Sequence, residues 1–159
     1  MPMNLAVGDH APDFALPAST GETVRLSDLT TSRGKTVVVF FYPKDDTPGC
    51  TVEACGFRDE YYKFTEAGAE VIGVSSDSTE SHARFASKHN LPMTLLSDTD
   101  GKVRELWGVR RTLGILPGRA TFVVDRQGKV RHVFVSQLRV GSHVQRALDM
   151  VRQLQRESA

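Results

Sequence analysis

Val37, Val38, Val39, Phe40, Phe41 and Tyr42 follow one another with no polar residue between them. An apolar run without alternation predicts a strand covered on both faces, and so the middle of a sheet. The period then changes. Ala54, Phe57, Tyr61 and Phe64 recur at intervals of three and four, with Arg58, Asp59, Glu60 and Lys63 between them and Gly68 placed to end the element, which predicts one amphipathic helix. Residues 70–75 read as a strand, 78–90 as a helix stopped ahead of Pro92, and 93–96 as another strand. The order is βαβαβ, for which parallel strands and right-handed crossovers are expected. A short helix over 102–107 and a loop over 108–118 come next. Residues 120–124 and 129–135 then flank Asp125, Arg126, Gln127 and Gly128, a connection suited to an antiparallel hairpin. Val144, Leu148, Val151 and Leu154 form the stripe of a closing helix, and the stretch through Leu29 adds a small hairpin around Thr20, Gly21 and Glu22. The expected architecture is α/β, a central mixed sheet flanked by helices.

With 159 residues, 40 % hydrophobic and 25 % charged, the chain suits one domain over 1–159 with a real core. Its formal charge of +1 is not gathered into a block, so nucleic acid is not an expected partner. No run approaches a membrane span, and the start lacks a basic segment followed by an apolar one, so a cytoplasmic, membrane-free protein is expected.

Only two cysteines are present, Cys50 and Cys55. Two are too few for a disulfide scaffold, and in a reducing compartment such a pair points to redox work. Cys50 follows the buried strand through a turn containing Pro43, Pro48 and Gly49, which predicts a sulfur at a helix N-terminus, where unpaired N–H groups favour an anion. A polar turn of this kind is also a poor place to bury a thiol. An ordinary thiol is only about 3 % ionised at pH 7, and making it mostly thiolate takes about 3.4 kcal/mol of preferential stabilisation. A helix terminus supplies about 0.3 to 1 kcal/mol, and Asp45 and Asp46 oppose it, so a cation has to help. Arg119, at the entrance to the 120–124 strand, is the candidate, provided that strand lies beside the central one. The alternative is a surface arginine.

On one ideal helix, positions 50 and 55 have Cα atoms about 8 to 9 Å apart. A disulfide wants about 4.4 to 6.8 Å, so the bond requires unwinding. Gly56 makes that easier, by about 1 kcal/mol relative to alanine. A two-stage cycle follows, in which Cys50 becomes a sulfenic acid and Cys55 then condenses with it. Cys55 adjoins Ala54 and can equally be read as core.

The arrangement Pro43-x-x-x-Thr47-x-x-Cys50 with Arg119 resembles the active-site pattern of the peroxiredoxins. The stretch from Phe41 to Cys55, with Gly8 to Phe14, Val71 to Ser75 and Arg119 to Phe122, is similar to their bacterioferritin comigratory protein, or Q-type, subfamily. The resemblance implies a thioredoxin-like fold with an N-terminal extension and a thiol peroxidase acting on hydrogen peroxide and organic hydroperoxides. It also implies Cys50 as the attacking sulfur, Thr47 and the Cys50 N–H orienting the peroxide, Arg119 stabilising thiolate and transition state, and Pro43 shielding the sulfur. Cys55 would resolve the sulfenic acid as an intramolecular disulfide, and a thioredoxin-like dithiol would reduce it. No metal, haem or flavin is implied, and no dimer is needed. The competing functions are a thiol–disulfide oxidoreductase, whose usual Cys-x-x-Cys is missing, and a redox sensor.

Other residues receive plainer readings. Thr47 can also serve as an N-cap ahead of Pro48, and Glu53 complements the helix dipole. His10, His82, His89, His132 and His143 lack metal-ligand spacing and read as solvated or half-buried. Asp98, Thr99, Asp100 and Gly101 start like a calcium loop but lack its later ligands, so a helix-initiating turn is expected. Trp107 is assigned to the core, and Leu113, Ile115 and Leu116 to the core or an apolar rim.

Overall fold

The computed structural model describes residues 5–109, 118–136 and 139–158. Along the chain these form β1 (Ala15–Pro17), β2 (Thr23–Arg25), a π-helical turn (Asp28–Ser32), β3 (Thr36–Phe41), α1 (Pro48–Asp59), α2 (Tyr61–Glu66), β4 (Ala69–Ser75), α3 (Thr79–His89), β5 (Thr94–Ser97), α4 (Lys102–Leu106), β6 (Ala120–Val124), β7 (Val130–Val135) and α5 (Val140–Glu157). The large sheet has the order β5-β4-β3-β6-β7, so the unbroken apolar run is its middle strand. The β3–β4 and β4–β5 pairs are parallel, whereas β3–β6 and β6–β7 are antiparallel. This is the mixed sheet expected, and β1 with β2 forms the expected N-terminal hairpin.

The period-two alternation of β3 divides the core. Val37, Val39 and Phe41 face a layer containing Leu16, Leu26, Trp107 and Phe122, while Val38, Phe40 and Tyr42 face Phe57, Phe64, Leu148 and Cys50. Trp107 is core, with its ring edge-on to Phe122 at 5.0 Å. In the second layer Phe40 stacks on Phe57 at 4.5 Å, which presses α1 onto the sheet. A bridge from Ala18 to Leu96 ties the hairpin to β5.

One detail differs from the sequence expectation. The helix read through Phe64 is two, because Glu60 leaves helical geometry (φ −103°, ψ 5°) although its N–H still bonds the Gly56 carbonyl. Most of the 108–118 loop, including Leu113, Ile115 and Leu116, lies outside the described residues. The turn before α4 is as expected, with the Asp98 carboxylate accepting the N–H groups of Val103 and Arg104 at 3.1 and 2.9 Å. Among the described residues, no helix is long and apolar enough to cross a membrane.

Candidate active site

The turn between β3 and α1 is fastened by hydrogen bonds from several elements. The Tyr42 carbonyl accepts from the Arg104 guanidinium at 2.8 Å. The buried Asp45 carboxylate accepts the Tyr42 hydroxyl at 2.6 Å and the Ser81 hydroxyl at 2.8 Å, and lies 2.7 Å from His82 Nδ1. His82 Nε2 donates to the Leu96 carbonyl at 2.9 Å. Asp46, in the left-handed region at φ 59°, pairs with Lys88 at 2.8 Å and meets His89 at 3.3 Å. Both carboxylates that the sequence set against an anionic sulfur are thus engaged elsewhere. Asp45, Asp77 and His82 offer atoms within 4.8 Å of one another, the geometry of a small cation site. Those atoms are occupied by hydrogen bonds, however, including Ser75 Oγ and the Asp45 N–H on Asp77 Oδ2 at 2.6 and 2.8 Å.

Thr47 stands at the N-cap of α1 and Pro48 opens the helix. The cap hydrogen bond is not made: the Thr47 hydroxyl donates backwards to the Lys44 carbonyl at 2.9 Å, closing the turn, which leaves its lone pairs free to accept. Pro43 is half-buried in the same turn. The first α1 ladder bond runs from the Thr51 N–H to the Thr47 carbonyl at 2.8 Å, so the N–H of Cys50 lies ahead of the ladder.

Cys50 is the third residue of α1 and, contrary to the sequence expectation, it is buried, with 1 % exposure. Its side chain belongs to the apolar layer with Phe40, Tyr42 and Phe57, and Arg119 meets its sulfur. Phe41 pairs with Ala120 in the β3–β6 register, which sets Arg119 one residue beyond the end of β3 and over the start of α1. One guanidinium nitrogen, Nη2, lies 3.3 Å from Cys50 Sγ, and the other, Nη1, donates to Glu53 Oε1 at 2.8 Å. Gly49 makes room for it, since a Cβ there would sit 3.1 Å from Nη2. Burial works against the Arg119 charge, but the adjacent Glu53 and Cys50 outweigh it and hold the guanidinium above its ordinary pKa.

Glu53 is completely buried. Burial pushes its pKa up to about 7 against the pull of Arg119. Among the described residues its Oε2 has no hydrogen-bond partner, and it lies 3.5 Å from His143 Nδ1. His143, buried on α5, meets the Thr121 hydroxyl through Nδ1 and the Ser136 carbonyl through Nε2, both at 2.8 Å. Burial pushes its pKa down to about 4 against the Ser136 bond.

Both cysteines are thiols, with Cys55 half-buried, and α1 is continuous through them. Gly56 has a packing role beyond its helix cost: a Cβ there would lie 3.0 Å from Val144 Cγ2, so glycine lets α5 close on α1.

The chain matches the AhpC/TSA family over residues 7–133. Over 148 residues it is 50 % identical to a chloroplastic peroxiredoxin Q of Sedum lineare, covering 92 % of this chain and 78 % of that protein. This chain belongs to the peroxiredoxin Q family. It is a thiol-dependent peroxidase with a thioredoxin-like peroxiredoxin fold. Among solved structures, the peroxidoxin BcpB of Mycobacterium tuberculosis superposes with a TM-score of 0.87 at 41 % identity, over 95 % of this chain and 99 % of that one. A Xanthomonas campestris bacterioferritin comigratory protein, described for its alkyl peroxide reduction activity, superposes at 0.82 with 29 % identity, over 95 % and 98 %.

Of the residues picked out in the sequence, this peroxiredoxin brings Cys50 and Arg119 into contact, with Thr47 at the head of the same helix and Cys55 further along it. Glu53, read as complementing the helix dipole, and His143 and His82, read as solvated or half-buried, are all fully buried. A signal was present for the first two. Glu53 is one turn beyond Cys50 beside Ala54 and Phe57, and His143 precedes Ala147, Val151 and Leu154 at core spacing.

Proposed function

We propose that Cys50 is the peroxidatic residue of this thiol-dependent peroxidase, and that Cys55 resolves the product as an intramolecular disulfide. The observation that carries the reading is the Arg119 nitrogen 3.3 Å from Cys50 Sγ at the opening of α1. The thiolate attacks one oxygen of hydrogen peroxide or an organic hydroperoxide, and negative charge develops on the departing oxygen. The Cys50 N–H and Arg119 supply donors toward that charge, in a site that needs no reorganisation as it forms. Thr47, whose hydroxyl proton is committed to Lys44, accepts from the peroxide O–H and fixes its axis. Pro43, with no N–H to compete, shields the sulfur.

Resolution follows from helix geometry. Cys55 reaches the sulfenic acid only when α1 unwinds, and water leaves as the disulfide forms. A thioredoxin-like dithiol then reduces that disulfide by exchange. Because both sulfurs lie in one chain, a monomer in a reducing compartment such as the cytoplasm is sufficient. Rapid mixing of the reduced protein with one equivalent of hydrogen peroxide tests the reading. Cys50 oxidises far faster than a free thiol, Cys50→Ser loses turnover, and Cys55→Ser completes one oxidation but does not cycle with thioredoxin. A Cys50→Ser protein with full activity would overturn it.

A further inference from the structure

Glu53 has no part in the cycle just described, yet it shares one guanidinium with the reacting sulfur. Arg119 spans Glu53 Oε1 at 2.8 Å and Cys50 Sγ at 3.3 Å, and all three side chains are buried. With both partners ionised, the cluster would hold two anions against one cation away from water, an expensive arrangement. With Glu53 protonated, Oε1 still accepts from Arg119 and the charges balance. The surroundings of the second oxygen agree. Oε2 receives no donor, as a carboxylate oxygen would need, and faces His143 Nδ1 at 3.5 Å. Because the Ser136 carbonyl can only accept, His143 Nε2 carries the hydrogen, and Nδ1 accepts from the Thr121 hydroxyl at 2.8 Å, so the ring offers Glu53 neither a charge nor an N–H.

We propose that Glu53 is the proton store of the peroxidase step, protonated while Cys50 is a thiolate and ionised once Cys50 is a sulfenic acid, with the neutral ring of His143 beside its carboxyl group. The proposal rests on the peroxidatic reading of Cys50. In the step, the S–O bond forms and the O–O bond breaks, and sulfur loses two electrons to the peroxide. The departing hydroxide takes up one proton and becomes water, while Glu53 releases one, so thiolate, hydrogen peroxide and carboxylic acid become sulfenic acid, water and carboxylate. One negative charge moves from sulfur to oxygen, and Arg119 keeps a single counter-anion throughout. Release and uptake are linked through solvent by that charge, because Glu53 does not touch the sulfur. Three groups face Glu53. Burial raises its proton affinity, Arg119 from the entrance to β6 lowers it, and His143 from α5 is held neutral, first by burial and then by Arg119, while an anionic Cys50 would compete with a Glu53 carboxylate for the one guanidinium they share. Burial, against the pull of Arg119, sets the Glu53 carboxyl near neutrality, where a change of charge on the sulfur that shares its guanidinium shifts its ionisation.

The test uses Cys55→Ser, which stops at the sulfenic acid, and one equivalent of hydrogen peroxide at neutral pH. Infrared difference spectra record the carboxyl group, ultraviolet absorbance the thiolate, and an indicator dye in weak buffer the protons. The expected result is loss of one carboxylic-acid band together with the thiolate absorbance, and almost no proton uptake. Adding Glu53→Gln removes the band and leads to uptake of about one proton per thiolate lost. Adding His143→Gln, with Glu53 intact, shifts the frequency of the same band. Loss of thiolate with no carboxyl band, or with about one proton taken up while Glu53 is present, overturns the proton store and leaves the peroxidatic reading standing. An unshifted band in His143→Gln overturns the role of His143. A thiolate that peroxide leaves intact defeats the reading of Cys50 itself.

Discussion

Two buried polar networks flank the end of β3, and they are built to different standards. Around Asp45, the Tyr42 and Ser81 hydroxyls and both His82 nitrogens have close partners. Around Arg119, the guanidinium Nε and Glu53 Oε2 have none among the described residues. A fully satisfied network fixes one geometry, whereas a network left short of partners keeps capacity for a charge that comes and goes. The first holds the turn still, and the second surrounds the sulfur whose charge changes.

The sharpest way to break the contrast is to cut each network once. Asp45→Ala leaves His82 and Tyr42 facing a void and is expected to lower stability by about 3 to 5 kcal/mol, read from urea unfolding. Arg119→Met, which removes the donor over the sulfur, is expected to slow Cys50 oxidation about 100- to 1000-fold in stopped flow, with a smaller change in stability. Should both changes act mainly on stability, the two networks would do the same job. A gentler displacement is Gly49→Ala, whose Cβ would press on Arg119 Nη2 from 3.1 Å. About a tenfold loss of oxidation rate is expected, because small errors of placement cost rate steeply.

The smallest effect is in the dependence of stability on pH. Glu53 is raised in the fold from 4.5 to about 7, so its contribution is present at low pH and is lost as pH rises through that window. His143 is lowered from 6.5 to about 4, so its contribution is present above that window and is lost as pH falls. The two slopes oppose each other over most of their range, and the parent profile is expected to be nearly flat there. His143→Gln should uncover a stability that falls with rising pH, and Glu53→Gln one that rises, by at most about 1.4 kcal/mol per pH unit in thermal or urea unfolding. Equal profiles in the two variants would mean that neither group titrates as the site requires.

Most of the fold was legible because β3 and the stripes on α1 and α5 follow simple periods, and the βαβαβ order leaves few topologies. The sulfur and its arginine were legible for the same reason: a strand end, a turn and a helix start place Cys50, and an adjacent strand places Arg119. Glu53 was not, since a carboxylate on a helix normally marks the wet side. What buries it is a guanidinium 66 positions away and a histidine on the last helix, neither of which a helical period reveals. The break at Glu60 was hidden because Phe57 and Phe64 keep a helical spacing across it.

Val144 sits in the notch where residue 56 has no side chain. On the proposed cycle, a sulfur migrating from position 55 toward position 50 would drag that notch with it, and the last helix would lift or slide to let the linkage close. The oxidised protein would then present a loosened carboxy-terminal face to whatever approaches, and a reductant could tell spent from fresh enzyme by touch, some distance from the bond it is about to break.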